Sequence, residues 1–172
     1  MQMISCRYLD ASEISVWLPR LFSILHENMS AIAPTGNTYD ADYALWSGAV
    51  ASALEQENRR IVLIFNDEIL IGYLQYDTND TTFMIEEAQL RSAFQGHGVM
   101  RKAFTFLADK IPQKLSLIEA YANKKNARSQ RILEHLGFSC VGENKNGNSY
   151  LYRMDCYAFF DHLKGGALCQ PI

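Results

Sequence analysis

The run Gln95-Gly96-His97-Gly98-Val99-Met100-Arg101 stands where a strand-like segment turns into a helix, and no other stretch restricts the fold as much. Thr82-Phe83-Met84-Ile85 reads as β, whereas Val99, Met100, Ala103, Phe104, Leu107 and Ile111 recur at helical spacing. A strand must therefore end, and a helix begin, across two glycines and a basic residue. Glycine lets the backbone approach an anion closely. The first turn of a helix offers unpaired N–H groups and a partial positive charge. Such a junction suits a phosphate, although taken alone it also fits an ordinary tight turn.

The segments around the junction narrow the fold. Ile4 to Leu9 alternates as a first strand. Ser12, followed by Glu13, is a plausible cap for a helix with Ile14, Trp17, Leu18, Leu21, Phe22 and Leu25 on one face. Pro19 inside that stripe predicts a kink or a later start. Asp40 is the expected cap of a second helix running to about Glu57. Arg60 to Phe65, Ile69 to Tyr76 and Thr81 to about Leu90 then form a meander. After the glycine loop comes a helix to about Lys110, a strand from Leu115 to Ala122, and a helix from Asn126 to Leu136 closed by Gly137. Ser139 to Glu143 and Ser149 to Asp155 make a final hairpin, and Tyr157 to Leu163 a short extra helix. The order predicts one α/β (α+β) domain over residues 1–156, with a mostly antiparallel sheet of about six or seven strands flanked by about four helices. Residues 157–172 are expected as a short helix and a loose tail.

Several function classes are excluded on composition. With 172 residues, 48% hydrophobic and 20% charged, the chain can bury a core. A net charge of −3 argues against a nucleic-acid partner, which needs a basic face. No stretch approaches the length of a membrane span, and no signal peptide is visible. Cys6, Cys140, Cys156 and Cys169 are scattered, as are His26, His97, His135 and His162. Neither set shows a disulfide framework or a metal-ligand spacing, so reduced thiols, a cytoplasmic location and no metal are expected. Dinucleotide sites also use Gly-x-Gly, but after the first strand of a parallel βαβ unit and with a third glycine. A meander precedes the loop here, and the Gly-Lys-Ser/Thr of a phosphate-binding Walker loop is absent.

A second motif names a candidate family. Asn126-Ala127-Arg128-Ser129-Gln130-Arg131-Ile132-Leu133-Glu134-His135-Leu136-Gly137-Phe138 resembles the last helix of the GNAT superfamily of N-acetyltransferases, which an Asn opens and Leu-Gly-Phe closes. The glycine loop resembles the same family's acetyl-CoA pyrophosphate signature, Gln/Arg-x-x-Gly-x-Gly/Ala, with Gln95 and Gly98 matching and Gly96 at a commonly used position. The likeness in element order runs from about Ile4 to Asp155. It implies acetyl-CoA as co-substrate, its pyrophosphate on the amides of Gln95, Gly96, His97, Gly98, Val99, Met100 and Arg101, with added charge from Arg101 and Arg91. It also implies a strand bulge at Leu90, whose backbone would pair with the pantetheine arm, and contacts from Asn126 and Ser129. Two departures stand out. Met100 occupies a position usually held by Gly or Ala, so its side chain must turn away from the pyrophosphate. Leu133 replaces the Tyr that many members use as general acid, as it does in a branch acting on ribosomal-protein N-termini.

The chemistry implied is direct attack of a primary amine on the acetyl thioester. A lysine-like amine is neutral only ~0.04% of the time at pH 7, and an α-amine about 10–20%, so a general base is required. Glu86 and Glu87 lie on the strand before the loop and Glu119 on the next strand; Glu87 and Glu119 are the two candidates carried forward. Strict alternation would put Glu86 and Glu87 on opposite faces, leaving at most one in the cleft. A backbone N–H near the bulge would stabilise the oxyanion. His97 is expected to face solvent. Tyr121 and Tyr152 could bring a hydroxyl to the sulfur, and Tyr39, Asp42, Tyr43 and Trp46 could touch the acceptor. The partner is an amine substrate, with no nucleic acid and no membrane, and the chain a monomer or homodimer. A catalytically inactive acyl-CoA-binding regulatory domain is the alternative.

Overall fold

In a computed structural model, which describes residues 3–112 and 114–164, seven strands form one sheet in the order β1-β2-β3-β4-β5-β7-β6. The strands are β1 (Ile4–Tyr8), β2 (Arg59–Asn66), β3 (Ile69–Asn79), β4 (Thr82–Leu90), β5 (Leu117–Asn123), β6 (Ser139–Glu143) and β7 (Ser149–Asp155). The helices are α1 (Ile14–Met29), α2 (Tyr39–Ala53), α3 (Val99–Ala108), α4 (Ala127–His135) and α5 (Cys156–Lys164). Every neighbouring pair is antiparallel except β4 and β5, which α3 joins as a crossover. The expected α/β class is observed, with four helices before the last strand and the expected short helix after it. Cys169 and the tail expected after Gly165 lie outside the described residues.

The central strands are apolar on both faces because both faces are covered. On one face Val62, Leu74, Phe83, Ile85 and Ile118 pack with Phe104 and Leu107 of α3 and Phe159 and Phe160 of α5. On the other, Ile61, Leu63 and Tyr73 pack with Leu18, Leu21 and Ile24 of α1 and Val50 of α2. The C-terminal helix therefore covers its own sheet. Among the described residues no helix is long and apolar enough to cross a membrane.

Three local expectations are corrected. Asp10, not Ser12, opens the first helical segment: its Oδ1 accepts from the Ser12 N–H at 2.8 Å and caps a single 3₁₀ turn ahead of α1. α1 is continuous through Pro19 from Ile14, so the helix does not start later; its buried Leu18, Leu21, Phe22 and Ile24 hold it to the sheet. Thr38, not Asp40, caps α2, its hydroxyl accepting from the Ala41 N–H at 3.3 Å.

β3 and β4 approach so closely at Gly72 that a Cβ there would collide with the Gln89 carbonyl oxygen and the Leu90 side chain. Gly72→Ala is expected to lower stability by about 1–3 kcal/mol, the usual cost of overpacking. A denaturant melt checks this; an unchanged midpoint would show that the strand gives way freely.

Candidate active site

β4 and β5 run side by side only from the Thr82–Leu117 pair to the Ile85–Ala120 pair. Beyond that β4 stays with β3 as far as Leu90, while β5 follows β7 to Asn123. The two strands fork at their carboxyl ends, the usual place for a ligand crevice next to parallel strands. The peptide groups on the open edge follow from the register. The Arg91 N–H donates to the Ile71 carbonyl, so the 73–89 pair shares its hydrogen-bonded phase, and the 72–90 and 74–88 pairs do not. Ala88 and Leu90 therefore turn their peptide groups away from β3, toward the fork. The Leu90 carbonyl is already capped there, by Asn28 Nδ2 at 3.0 Å and Gln95 Nε2 at 2.8 Å.

The glycine loop closes the outer end of this cleft. Gly96 and Gly98 adopt φ of 80° and 70°, in the left-handed region that other residues avoid, and nothing stands within 4 Å of where their Cβ atoms would be. Gly98 is the N-cap of α3 and brings no side-chain cap. The first helical bond runs from the Lys102 N–H to the Gly98 carbonyl, so the amides of Gly98, Val99 and Met100 precede it. His97 is exposed, as expected. Val99 is buried and Met100 packs against the core, so the methionine side chain leaves the loop's outer side open. Both arginines are directed elsewhere. Arg101 donates to the Leu163 carbonyl at 2.8 Å, tying the loop to α5, and Arg91 reaches Glu27 at 3.4 Å. Arg128 of α4 brings a cation to the loop, its guanidinium donating to Gln95 Oε1 at 2.5 Å. Asn126 spends its carbonyl oxygen capping α4, on the Ser129 N–H at 3.0 Å.

At the inner end the register corrects two expectations together. Gln75 pairs with Glu87 and Tyr76 with Ile85, so the bulge lies at Glu86 and not at Leu90. The extra residue interrupts strict alternation. Glu86 and Glu87 consequently face the same side, that of Tyr73 and Gln75: Glu86 Oε2 accepts from Gln75 Nε2 at 2.8 Å, and Glu87 Oε2 from the Tyr73 hydroxyl. Their environments differ. Glu86 is neutralised by Arg59 at 2.9 Å, whereas Glu87 has two neutral donors, Tyr73 and Trp46 Nε1 at 2.9 Å. Burial pushes the Glu87 carboxyl above the usual carboxylate range, and the Glu86 charge adds to the rise, against the two hydrogen bonds. Desolvation also drives the Tyr73 phenol well up, with the Glu87 charge adding to it, so Tyr73 remains a proton donor to Glu87.

The other predicted residues take quieter places. Glu119 shares the Glu87 face but is held by Arg153 at 2.5 Å within the paired part of β5. Tyr152 is buried, its hydroxyl donating to Glu134 at 3.1 Å, and Tyr121 is half exposed. Tyr39, Tyr43 and Trp46 gather around Phe22, while Asp42 accepts from Thr35 and Asn37 in the preceding loop. Leu133 packs against the core. Tyr73, Gln75, Asn28 and Ala88 were not foreseen. Only the strand pairing brings the first two to Glu87 and Glu86, and only the peptide phase singles out Ala88.

The family model of the acetyltransferase (GNAT) domain matches residues 18–139. Among solved structures, Mycobacterium smegmatis RimJ in complex with CoA-disulfide is similar at 20% identity and a TM-score of 0.65, covering 95% of this chain and 89% of that one. The PaiA N-acetyltransferase of Thermoplasma acidophilum in complex with coenzyme A is similar at 14% identity and a TM-score of 0.68, covering 89% and 99%. An acetyltransferase from Thermus thermophilus is similar at 18% identity and a TM-score of 0.69, covering 90% and 99%. A search of curated protein sequences returned no significant match.

Proposed function

The chain belongs to the GNAT acetyltransferase family, and on that premise we propose that it moves the acetyl group of acetyl-CoA onto a primary amine, with Glu87 as general base. The observation that carries this reading is the pairing of an open fork between β4 and β5 with a half-buried carboxylate at its inner end whose hydrogen-bond donors are both neutral. A carboxylate raised by burial is better matched to removing an ammonium proton than one locked to an arginine. Glu119 and Glu86, each paired with a guanidinium, are therefore weaker candidates.

The residues present fit the co-substrate. The amides of Gly98, Val99 and Met100 and the open space beside Gly96 and Gly98 suit a pyrophosphate. The relatives crystallised with coenzyme A or its disulfide support the same co-substrate. Gln95, His97 and Arg101 complete that loop, and Arg128 reaches it at Gln95. The cleft-facing edge of Ala88 and Leu90 suits an extended amide-bearing chain, paired as a strand would be. Asn126 and Ser129 stand at the start of α4, which follows β5, the other arm of the fork. Acetyl-CoA supplies an activated acyl carbon and a thiol leaving group, which departs with modest help because its pKa is about 8.5. That accommodates Leu133, which has no proton to give.

In this scheme Glu87, directly or through one water, would take the proton of the acceptor ammonium and so free the lone pair that attacks the acyl carbon; the C–S bond breaks as the C–N bond forms, and the nitrogen's second proton goes to the departing sulfur. The Ala88 N–H, on the open edge, would be the backbone donor to the thioester oxygen. The three described cysteines, Cys6, Cys140 and Cys156, are free, in keeping with a reducing compartment such as the cytoplasm.

The test is isothermal titration with acetyl-CoA, followed by a thiol-release assay across polyamines, aminoglycosides, amino acids and peptide N-termini. Binding with turnover on at least one amine is expected. Binding without turnover on any of them would favour the inactive regulatory reading, and failure to bind acetyl-CoA would overturn both.

A further inference from the structure

We propose that Trp46 and Tyr73 are positioning residues for Glu87, clamping one carboxylate oxygen each so that the remaining lone pairs face the acceptor amine. The inference rests on reading Glu87 as the base. Its geometric grounds are independent of that reading.

The clamp draws on two different elements. Trp46 comes from α2 and donates its indole N–H to Oε1 at 2.9 Å, while Tyr73 comes from β3 and donates its hydroxyl to Oε2. A carboxylate held at both oxygens cannot rotate about its terminal torsion, which is otherwise broad. Each donor is itself fixed. The Tyr73 side chain is fully buried in the core beneath α1 and α2. The Trp46 ring packs on Phe22 of α1, with centroids 5.4 Å apart. The bulge supplies the third constraint, since it places Glu87 opposite Gln75 and next to a Glu86 that Arg59 has already neutralised.

This assigns Trp46 a task other than contact with the acceptor. It also accounts for a base that works without a histidine or a second carboxylate to orient it. The groups facing Glu87 are few. From β3 there is the Tyr73 hydroxyl, and from β4 the Glu86 carboxylate with its Arg59 partner from β2. From α2 there is the neutral indole, and on α1 His26 is held edge-on against Tyr39. Both clamping bonds favour the ionised carboxylate and so oppose the effect of burial. Removing either must move the Glu87 titration upward.

The experiment compares Tyr73→Phe, Trp46→Phe and Glu87→Gln in the full chain. It follows thiol release against pH with the best amine of the panel, at limiting and saturating amine. The acid limb of kcat/KM should move up by about one pH unit in each single clamp variant, from the usual strength of hydrogen bonds to a charged group. The KM for acetyl-CoA should not change. A uniform loss of rate at every pH, with the limb in place, would overturn the clamp. Glu87→Gln separates the two readings. If it keeps the wild-type acid limb, Glu87 is not the base. If it removes the limb while Tyr73→Phe leaves it unmoved, only the positioning role fails. Direct titration of ¹³C-labelled Glu87 by NMR in the wild type and Tyr73→Phe reads the same upward shift without relying on turnover, and an unshifted midpoint there would also sink the clamp. Should Trp46→Phe not fold, Tyr73→Phe alone decides, since it removes one buried oxygen and no carbon.

Discussion

Glu87→Gln should lower kcat for acetyl transfer by about 10²–10⁴-fold, the contribution typical of a positioned general base. The substitution is nearly isosteric, and both neighbours can adapt. The Gln oxygen still accepts from Trp46 Nε1, and the Tyr73 hydroxyl can turn to accept from the new amide. Acetyl-CoA affinity should therefore stay within a few-fold of the wild type, which isolates the chemical step. The variant also carries a signed effect on stability. Burial raises the Glu87 pKa in the folded state above its unfolded value. A group shifted in that direction contributes its stability below the unfolded pKa and loses it as pH rises through the folded pKa. Near neutral pH the ionised Glu87 thus costs the fold something that Gln does not. Melting curves of the two proteins should accordingly diverge with rising pH, the variant being relatively more stable at neutral pH than at pH 4. A rate within threefold of wild type at every pH would remove Glu87 from the mechanism.

The second large effect is expected at the glycine loop. Gly98→Val should weaken acetyl-CoA binding by about 5–150-fold, corresponding to about 1–3 kcal/mol of backbone strain. The φ of 70° at this position is one that a β-branched residue adopts only under strain, and the new methyls would occupy space that is open beside the start of α3. Because Gly98 is the N-cap of α3, relieving that strain would displace the first-turn amides on which the proposed pyrophosphate site depends. Isothermal titration with acetyl-CoA measures it. Gly98→Asn is the control: Asn tolerates the left-handed region and can cap the helix, so it should lose much less. Equal losses in the two variants would mean that occupied space, and not backbone conformation, governs the site.

How much could be read from the chain alone depended on how far apart the deciding residues were. The glycine loop, the helix it opens and the final hairpin were legible because their signals are local: turn glycines, a 3.6-residue apolar stripe and paired apolar runs. The hairpin bounds Ser139–Glu143 and Ser149–Asp155 were read to the residue. Helix starts were less legible, since several Asp, Ser and Thr residues competed for each cap and only backbone geometry chose Asp10 and Thr38. The bulge was misplaced for a stronger reason. Its position is fixed by the count of residues between β3 and β4, and nothing in Ile85-Glu86-Glu87-Ala88 marks which residue is surplus. That error produced the expectation that Glu86 and Glu87 diverge. Tyr73 escaped notice because an aromatic in an apolar strand reads as core, and it is core; only its hydroxyl reaches the site. Arg101 and Arg91 looked like phosphate ligands because charge and proximity in sequence were all there was to judge by, whereas their partners on α5 and α1 come from 62 and 64 residues away.

The extra residue in β4 also bears on how this site can change from one gene to its descendants. Ile85 pairs with Tyr76 and Glu87 with Gln75, which are consecutive on β3. Loss of the single codon for Glu86 would therefore restore an unbroken ladder and leave every other side chain of both half-strands on its present face. Insertions and deletions inside strands are ordinarily ruinous, because a one-residue slip turns the core outward. Here the frame of the sheet absorbs the change, and an acidic side chain beside Glu87 can be gained or lost in one step. The charge beside Glu87 is thus open to rapid variation while the fork and the glycine loop stay as they are.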